Sequence, residues 1–136
     1  LRASGGVLVN VSSSVTVVPF PLLSVYSASK AAMNAFSTSL AIELESVGVR
    51  VRVVLPGRAP STAFGTNARA SMEEGGVHVP EPYAPFVEQT LAAFMDYDGP
   101  VTTSDEVAEG VWRAVTDPSC PVVTPAGADA VELAAG

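Results

Sequence analysis

Two short apolar runs on either side of a long helical segment constrain the fold of this chain more than any other feature. Residues 7–11 are almost continuously apolar, and residues 49–55 are rich in β-branched side chains. Such runs are typical of strands buried on both faces of a parallel sheet. Residues 24–47 have helical periodicity, with Ser24 predicted as the N-cap and Gly48 as the stop. The sequence therefore predicts a right-handed βαβ unit.

The rest of the chain predicts further α/β structure. Residues 104–116 are predicted as a helix capped by Ser104, and residues 121–124 as a short final strand. Residues 58–103 are broken by prolines and glycines, with one predicted helix at about 86–95. A connection of this length is usually a lid or a binding loop. We expect an α/β fold of about three parallel strands with flanking helices, in a partial doubly wound sheet, and a weakly structured tail after Ala126.

The long predicted helix has two faces that favour burial. At about 100° per residue, one stripe carries large side chains and another carries small ones. The large stripe contains Tyr26, Lys30, Met33, Ser37, Leu40 and Leu44, and the small one contains Ala28, Ala31, Ala32, Ala35 and Ser39. We expect the large stripe to pack on the sheet. The small stripe either contacts a second copy of the chain, which predicts a homo-oligomer, or is an ordinary solvated alanine face.

Tyr26 and Lys30 stand four residues apart at the start of this helix. Helix geometry brings such side chains to within about 6 Å of each other. At that distance, and at an effective dielectric constant of about 20, the lysine charge favours the phenolate form by roughly 2–3 kcal/mol. The pair can therefore act as a general acid/base at neutral pH. The alternative is a packed tyrosine beside a solvated lysine, a pair that chance supplies in many helices.

Three polar or turn-forming segments follow or begin these elements at one edge of the predicted sheet. Ser13 comes just after the first strand, Pro56-Gly57 comes just after the second, and Tyr26 begins the helix between them. Ligands bind at the carboxyl ends of strands in open α/β sheets. We therefore expect the Ser13 hydroxyl to hold a substrate oxygen while Tyr26 moves its proton. The serines at 12–14 also suit a turn and a cap.

Composition argues against several classes of function. The net charge is −7, from 14 acidic and 7 basic residues, which is unfavourable for nucleic-acid binding. The most apolar stretch, residues 15–23, contains two prolines and is too short to cross a bilayer. The single cysteine, Cys120, excludes an internal disulfide and a cysteine-built zinc site. We expect a cytoplasmic protein with no metal, nucleic-acid or membrane partner.

The order of these motifs resembles the short-chain dehydrogenase/reductase superfamily. The resemblance rests on Asn10-Val11-Ser12-Ser13, on the YxxxK motif Tyr26-Ser27-Ala28-Ser29-Lys30, and on the strand leading into Pro56-Gly57. It is specific across residues 5–62, and residues 105–118 followed by 122–129 resemble the tail of the retinol- and hydroxysteroid-dehydrogenase-like branch. It implies one incomplete Rossmann-type domain. Residues 1–57 are the catalytic strand-helix-strand, residues 58–103 the substrate lid, and residues 104–136 the last helix and strand.

The resemblance also implies a role for each matching residue in the interconversion of an alcohol with a ketone or aldehyde. Tyr26 is the general acid/base, Lys30 assists it and bonds the nicotinamide ribose, and Ser13 holds the substrate oxygen. Pro56-Gly57 lets the backbone approach the nicotinamide of NAD or NADP. The implied cofactor-binding residues are Tyr26, Lys30, Pro56, Gly57, Ser61 and Thr62. Hydride passes between the cofactor and the substrate carbon.

The chain departs from the family pattern in its cofactor half. The family's glycine-rich dinucleotide loop follows its first strand, whereas Gly5-Gly6 precedes one. Arg52 stands where an asparagine is common, and Thr62 is one residue further from Pro56-Gly57 than usual. We therefore expect a fragment that lacks the dinucleotide-binding half and is inactive in isolation.

Two other functions remain open from the residues. One is a non-catalytic assembly module that uses the alanine-rich helix face. The other is a serine hydrolase built on Ser13 and His78, the only histidine, although residues 10–15 lack the Gly-x-Ser-x-Gly turn.

Overall fold

A single parallel sheet of three strands organises the computed structural model, which describes residues 1–136. The strands are β1 (Val7–Val11), β2 (Arg50–Pro56) and β3 (Val123–Ala126), in the spatial order β1-β2-β3. Val7 lies opposite Arg50 in the first pair, and Val53 lies opposite Val123 in the second. The α/β fold class with three parallel strands is confirmed.

Five helices flank this sheet. They are α1 (Ser24–Glu45), α2 (Phe64–Glu74), α3 (Ala84–Met95), α4 (Ser104–Thr116) and α5 (Ala128–Ala135). Short 3-10 turns occur at Arg2–Ser4, Ser14–Thr16 and Glu81–Tyr83. None of these helices is both long enough and apolar enough to cross a membrane.

Helices α1 and α4 lie on opposite faces of the sheet. On one face, the Asn10 amide of β1 donates a hydrogen bond to Ser37 Oγ of α1 at 2.8 Å. On the other face, Val54 of β2 packs against Ala114 of α4. Asn10 is paired with Val53, so Val54 is the next residue along β2 and points to the opposite face. The sheet is therefore covered on both sides, as the continuous apolar runs predict.

The central strand β2 forms the core of the protein. Val51, Val53 and Val54 are fully buried, because β2 has a strand on each side and a helix on each face. Strand β1 is an edge strand whose residues are half-buried or exposed.

Two arginines of β2 bind carbonyls at and just beyond the carboxyl end of α4. Arg50 donates to the Val115 carbonyl at 2.8 Å, and Arg52, which is 8% exposed, donates to the Pro118 carbonyl at 3.2 Å. The Val115 carbonyl is among the last of the helix, and such carbonyls carry partial negative charge and lack partners within the helix. Pro118 lies two residues beyond the helix, and its carbonyl gives the buried Arg52 guanidinium a partner there.

Both predicted helix caps are wrong by one residue. Helix α1 has Leu23 at its N-cap position, with no side-chain cap, and Ser24 is already its first helical residue. Helix α4 is capped by Thr103 rather than Ser104. Only Thr103 stands three residues before Glu106, and the two form a reciprocal capping box.

The expectation of a weakly structured tail is also wrong. Residues 128–135 form α5, whose Asp129 and Ala130 are buried. Alanine, glutamate and leucine are strong helix formers, and Asp129 suits a first turn. The first turn of α5 packs into the protein, whereas most of its later residues are exposed.

Candidate active site

Tyr26 and Lys30 share one side of α1 beside the carboxyl end of β1. Both side chains are half-buried, and Lys30 Nζ lies 5.8 Å from the centroid of the Tyr26 ring. Lys30 Nζ also donates a hydrogen bond to the Val11 carbonyl at 3.2 Å. An ammonium has three N–H donors, so two remain for other partners. The strand thus fixes the charge beside the phenol and leaves part of it free to bind.

Ser13 follows β1 and is anchored to α1 through two other side chains. Its Oγ accepts a hydrogen bond from Val15 N at 3.3 Å, and its carbonyl accepts one from Thr16 Oγ1 at 2.9 Å. The Asn34 amide of α1 in turn donates to Thr16 Oγ1 at 3.0 Å. Ser13 therefore caps the Ser14–Thr16 turn, and its hydroxyl proton stays available as a donor.

The carboxyl ends of β1 and β2 lie at the same edge. Ser12 N donates to the Val54 carbonyl at 2.8 Å, which extends the β1–β2 ladder to the residue before Ser13. Ser12 Oγ also donates to the Lys30 carbonyl at 3.4 Å. Pro56, at the end of β2, is paired with Ala126 of β3. The segments that carry Ser13, Lys30 and Pro56 are thereby joined by direct hydrogen bonds.

The turn after β2 is held by Thr102 and Asp129, which come much later in the chain. Gly57 N donates to Thr102 Oγ1 at 3.1 Å, and Arg58 N donates to Asp129 Oδ2 at 2.6 Å. Both backbone donors of the turn are therefore already bound by protein atoms.

Ser61 and Thr62 differ in what their hydroxyls do. Thr62 Oγ1 donates to the Ala59 carbonyl at 2.8 Å and accepts a weak bond from Phe64 N at 3.4 Å, so it stabilises the start of α2. Ser61 is exposed and its hydroxyl bonds no protein group. Ser61 is thus the freer of the two hydroxyls to meet a ligand.

Aromatic side chains connect the lid region to the site. The Phe64 ring of α2 packs against Tyr26 with ring centroids 5.9 Å apart. The Arg58 guanidinium lies 4.7 Å from the Phe94 ring and 4.8 Å from the Tyr97 ring, and it donates to the Phe94 carbonyl. The Phe94 ring also meets Phe20 edge-on. These contacts hold α3 against the segments that follow β1 and β2.

Residues 58–103, which are predicted as a lid, do not enclose a dry pocket. Phe64 is 61% exposed and Phe86 is 50% exposed, and α2 and α3 contain no buried residue. His78 lies exposed between α2 and the Glu81–Tyr83 turn and forms no hydrogen bond.

Sequence reasoning missed the polar residues that support the site. Asn10, Thr16, Asn34 and Ser37 join β1 and the following turn to α1. The signal for two of them was present, since Asn10 interrupts an apolar run and Ser37 lies on the sheet-facing stripe. Thr102 and Asp129 gave no such local signal.

The parallel sheet, with Tyr26 and Lys30 on a helix at its carboxyl edge, has the arrangement that the sequence resemblance predicts. Comparison of the chain with models of known protein families identifies the family. The model of the short chain dehydrogenase family matches residues 1–73. This chain belongs to the short-chain dehydrogenase family, and the resemblance noted above is confirmed.

Relatives and solved structures agree with this assignment. The chain is 37% identical over 98 residues to short-chain dehydrogenase srdE of Neurospora crassa, a match covering 71% of this chain and 34% of that protein. A short-chain dehydrogenase structure from Streptomyces avermitilis superposes with a TM-score of 0.71 and 27% identity, covering 99% of this chain and 47% of the other. One from Burkholderia cenocepacia, in complex with NADP, gives 0.66 and 26%, covering 100% and 44%. The chain spans less than half the length of these proteins.

Proposed function

We propose that the protein carrying this sequence is an NAD(P)-dependent oxidoreductase that interconverts an alcohol with a ketone or aldehyde. In this proposal the chain supplies the catalytic wall of the active site, with Ser13, Tyr26 and Lys30 as catalytic residues. The observation that carries the proposal is the Lys30 ammonium, tied to the Val11 carbonyl and 5.8 Å from the Tyr26 ring. A packing pair with no chemical role would not need a half-buried cation anchored to the strand end.

The residues at this edge fit the nicotinamide half of a dinucleotide. Lys30 keeps two N–H donors for ribose hydroxyls, Ser61 offers a free hydroxyl, and the Pro56 ring with the Gly57 backbone forms a surface without polar side-chain groups nearby. When bound, NAD or NADP would supply or accept the hydride. The chain has no glycine-rich loop after a strand, so we propose that the adenosine half is held elsewhere in the complete protein.

The protein's own contribution is proton transfer and orientation. The Tyr26 hydroxyl gives a proton to the carbonyl oxygen during reduction and takes it back during oxidation. The Lys30 charge stabilises the phenolate that forms in the first case. The Ser13 hydroxyl donates a hydrogen bond to the same substrate oxygen, which orients it toward Tyr26.

Replacement of Tyr26 by phenylalanine tests its proposed role as the general acid/base. In the complete protein, Tyr26→Phe should reduce kcat/KM for carbonyl reduction by at least about a hundredfold, because the proton donor is lost while the ring packing stays. Turnover is followed as NADH or NADPH absorbance with a panel of ketones and aldehydes. Tyr83→Phe, at an exposed tyrosine without a hydrogen bond, is the matched control. Wild-type activity in Tyr26→Phe would refute the assigned role.

We also propose that α1 forms a homo-oligomer through its outer face. The outer face carries large apolar groups as well as the predicted small stripe: Val25 is 84% exposed, Phe36 60% and Ile42 75%. A second copy of the chain could bury these side chains by packing its α1 against them.

A further inference from the structure

A buried hydroxyl–carboxylate pair lies behind the turn that follows β2. Thr102, just before α4, is 0% exposed, and Asp129, in the first turn of α5, is 6% exposed. Neither residue lies in the part of the chain that the dehydrogenase family model matches. A buried carboxylate is costly unless its oxygens are hydrogen-bonded, so the partners of this pair indicate what it does.

Those partners are consecutive backbone groups of the turn. Thr102 Oγ1 donates to Asp129 Oδ1 at 2.5 Å and accepts from Gly57 N at 3.1 Å. Asp129 Oδ2 accepts from Arg58 N at 2.6 Å, and Thr102 N donates to the Arg58 carbonyl at 2.7 Å. Thr102 and Asp129 therefore bind three of the four backbone polar groups of Gly57 and Arg58, directly after Pro56.

Two glycines leave room for this arrangement. A Cβ atom built on Gly57 would overlap the Asp129 carboxylate, and one built on Gly127 would overlap the Thr102 side chain. Gly127 also has a φ of 101°, a backbone conformation that residues with a side chain rarely adopt. The position that a Cβ of residue 57 would occupy is thus filled by the Asp129 carboxylate. This contact is enough to require glycine at position 57.

We infer that Thr102 and Asp129 are positioning residues that fix the Gly57–Arg58 backbone, and through it the surface that Pro56-Gly57 presents to the nicotinamide. This inference rests on the proposed function. The pair uses both backbone N–H groups of the turn, so the cofactor meets a rigid surface there and not free amide donors. Gly57 N also donates to the Ala126 carbonyl at 3.3 Å, so loss of the Thr102 hydroxyl leaves Gly57 N with that longer bond alone and takes the hydroxyl donor away from one carboxylate oxygen.

The test compares two conservative changes at Thr102 in the complete protein. Thr102→Val keeps the shape and removes the hydroxyl, and Thr102→Ser keeps the hydroxyl. We expect Thr102→Val to speed amide hydrogen exchange at Gly57 and Arg58 by at least about tenfold, and to raise the cofactor KM and the NADH or NADPH dissociation constant by a similar factor. Thr102→Ser should restore all three to near wild-type values. Thr116→Val removes one exposed, intrahelical hydroxyl bond and is the control.

The outcomes separate this inference from the proposed function. Amide exchange is measured without cofactor, so it reports on the turn even in a protein that does not bind NAD or NADP. Failure of the wild-type protein to bind or turn over the cofactor would refute only the proposed function. Unchanged exchange at Gly57 and Arg58 in Thr102→Val overturns the positioning role. A lower melting temperature with an unchanged cofactor dissociation constant and KM also overturns it, because it leaves only a structural role.

A double substitution tests the glycine argument independently. Gly57→Ala should lower the melting temperature strongly in the wild-type background and much less in an Asp129→Ala background, because the overlapping carboxylate is then absent. Equal losses in the two backgrounds would contradict the claim that Asp129 requires glycine at position 57.

Discussion

Lys30 is the only lysine of the chain, and its surroundings limit what can replace it. The ammonium reaches the Val11 carbonyl and the space over the Tyr26 ring from one rotamer. A methionine of similar length would keep the packing of the stem and remove the charge and all donors. The residue therefore offers a clean separation of electrostatic and packing effects.

We predict that Lys30→Met in the complete protein lowers kcat/KM for carbonyl reduction by at least about a hundredfold. The physical reason is that the phenolate that forms on Tyr26 during proton transfer loses the charge that stabilises it. Steady-state kinetics with NADH or NADPH measure this effect. Arg69→Met, which removes an exposed cation of α2, is the control and should leave kcat/KM unchanged. An unchanged kcat/KM in Lys30→Met would argue against electrostatic assistance.

At the scale of elements, α4 is held at both ends by side chains. At its start, the Thr103 amide and hydroxyl each donate to Glu106 Oε2 at 2.8 Å, and Glu106 N donates to Thr103 Oγ1 at 3.2 Å. At its end, Arg50 binds the Val115 carbonyl, and Arg52 binds the Pro118 carbonyl two residues beyond the helix. These contacts fix the start of α4, and thereby the position of Thr102, which immediately precedes the N-cap residue.

The capping box makes stability depend on pH in acid. Hydrogen bonds from the Thr103 backbone, and next from its side chain, hold the pKa of Glu106 below its ordinary value of 4.5. A lowered pKa stabilises the fold above the ordinary value, and this stabilisation is lost as pH falls through the folded-state pKa. We predict that Glu106→Gln is less stable than wild type at pH 7, and that the difference shrinks below about pH 4.

Urea unfolding at a series of pH values checks this prediction. Glu109→Gln, at an exposed acid of the same helix that forms no hydrogen bond, is the matched control. A constant difference between wild type and Glu106→Gln from about pH 7 to 3 would contradict the link between the cap and acid stability.

The sequence predicted elements more accurately than it predicted their ends. The predicted β1 matches Val7–Val11, whereas α1 spans Ser24–Glu45, with Leu23 and not Ser24 at its N-cap and an end two residues before the predicted one. The cap of α4 was missed although its Thr-x-x-Glu spacing was visible, and α5 was missed because a run of small residues suggested disorder. Helix ends depend on single hydrogen bonds, whereas helix interiors depend on a repeated pattern, so ends are harder to predict.

At the scale of the whole molecule, the outer face of α1 exposes large apolar side chains that no other part of the chain covers. Val25, Phe36 and Ile42 are exposed, whereas Ser37, on the side of α1 that faces the sheet, is fully buried. The proposed homo-oligomer would cover this face and hold α1, with Tyr26 and Lys30, from outside.

We predict that Phe36→Glu shifts the protein to a smaller assembly, because a carboxylate buried in an apolar interface has no partner. Light scattering coupled to size-exclusion chromatography measures the mass of each variant. Ala108→Glu, on the exposed side of α4, should leave the mass unchanged. Equal masses for wild type and Phe36→Glu would rule out this face as the interface.

The sequence by itself determined the βαβ unit and the pairing of Tyr26 with Lys30, because both follow from periods of two to four residues that each segment carries on its own. Only the tertiary structure revealed the Thr102–Asp129 pair, since its bonds join residues 45 and 71 positions apart and no local period encodes such a contact. The same holds for the reason behind Gly57, which depends on what packs against it. Local patterns set the elements and the spacing of Tyr26 and Lys30, while packing between distant segments decides how the backbone at the sheet edge is held.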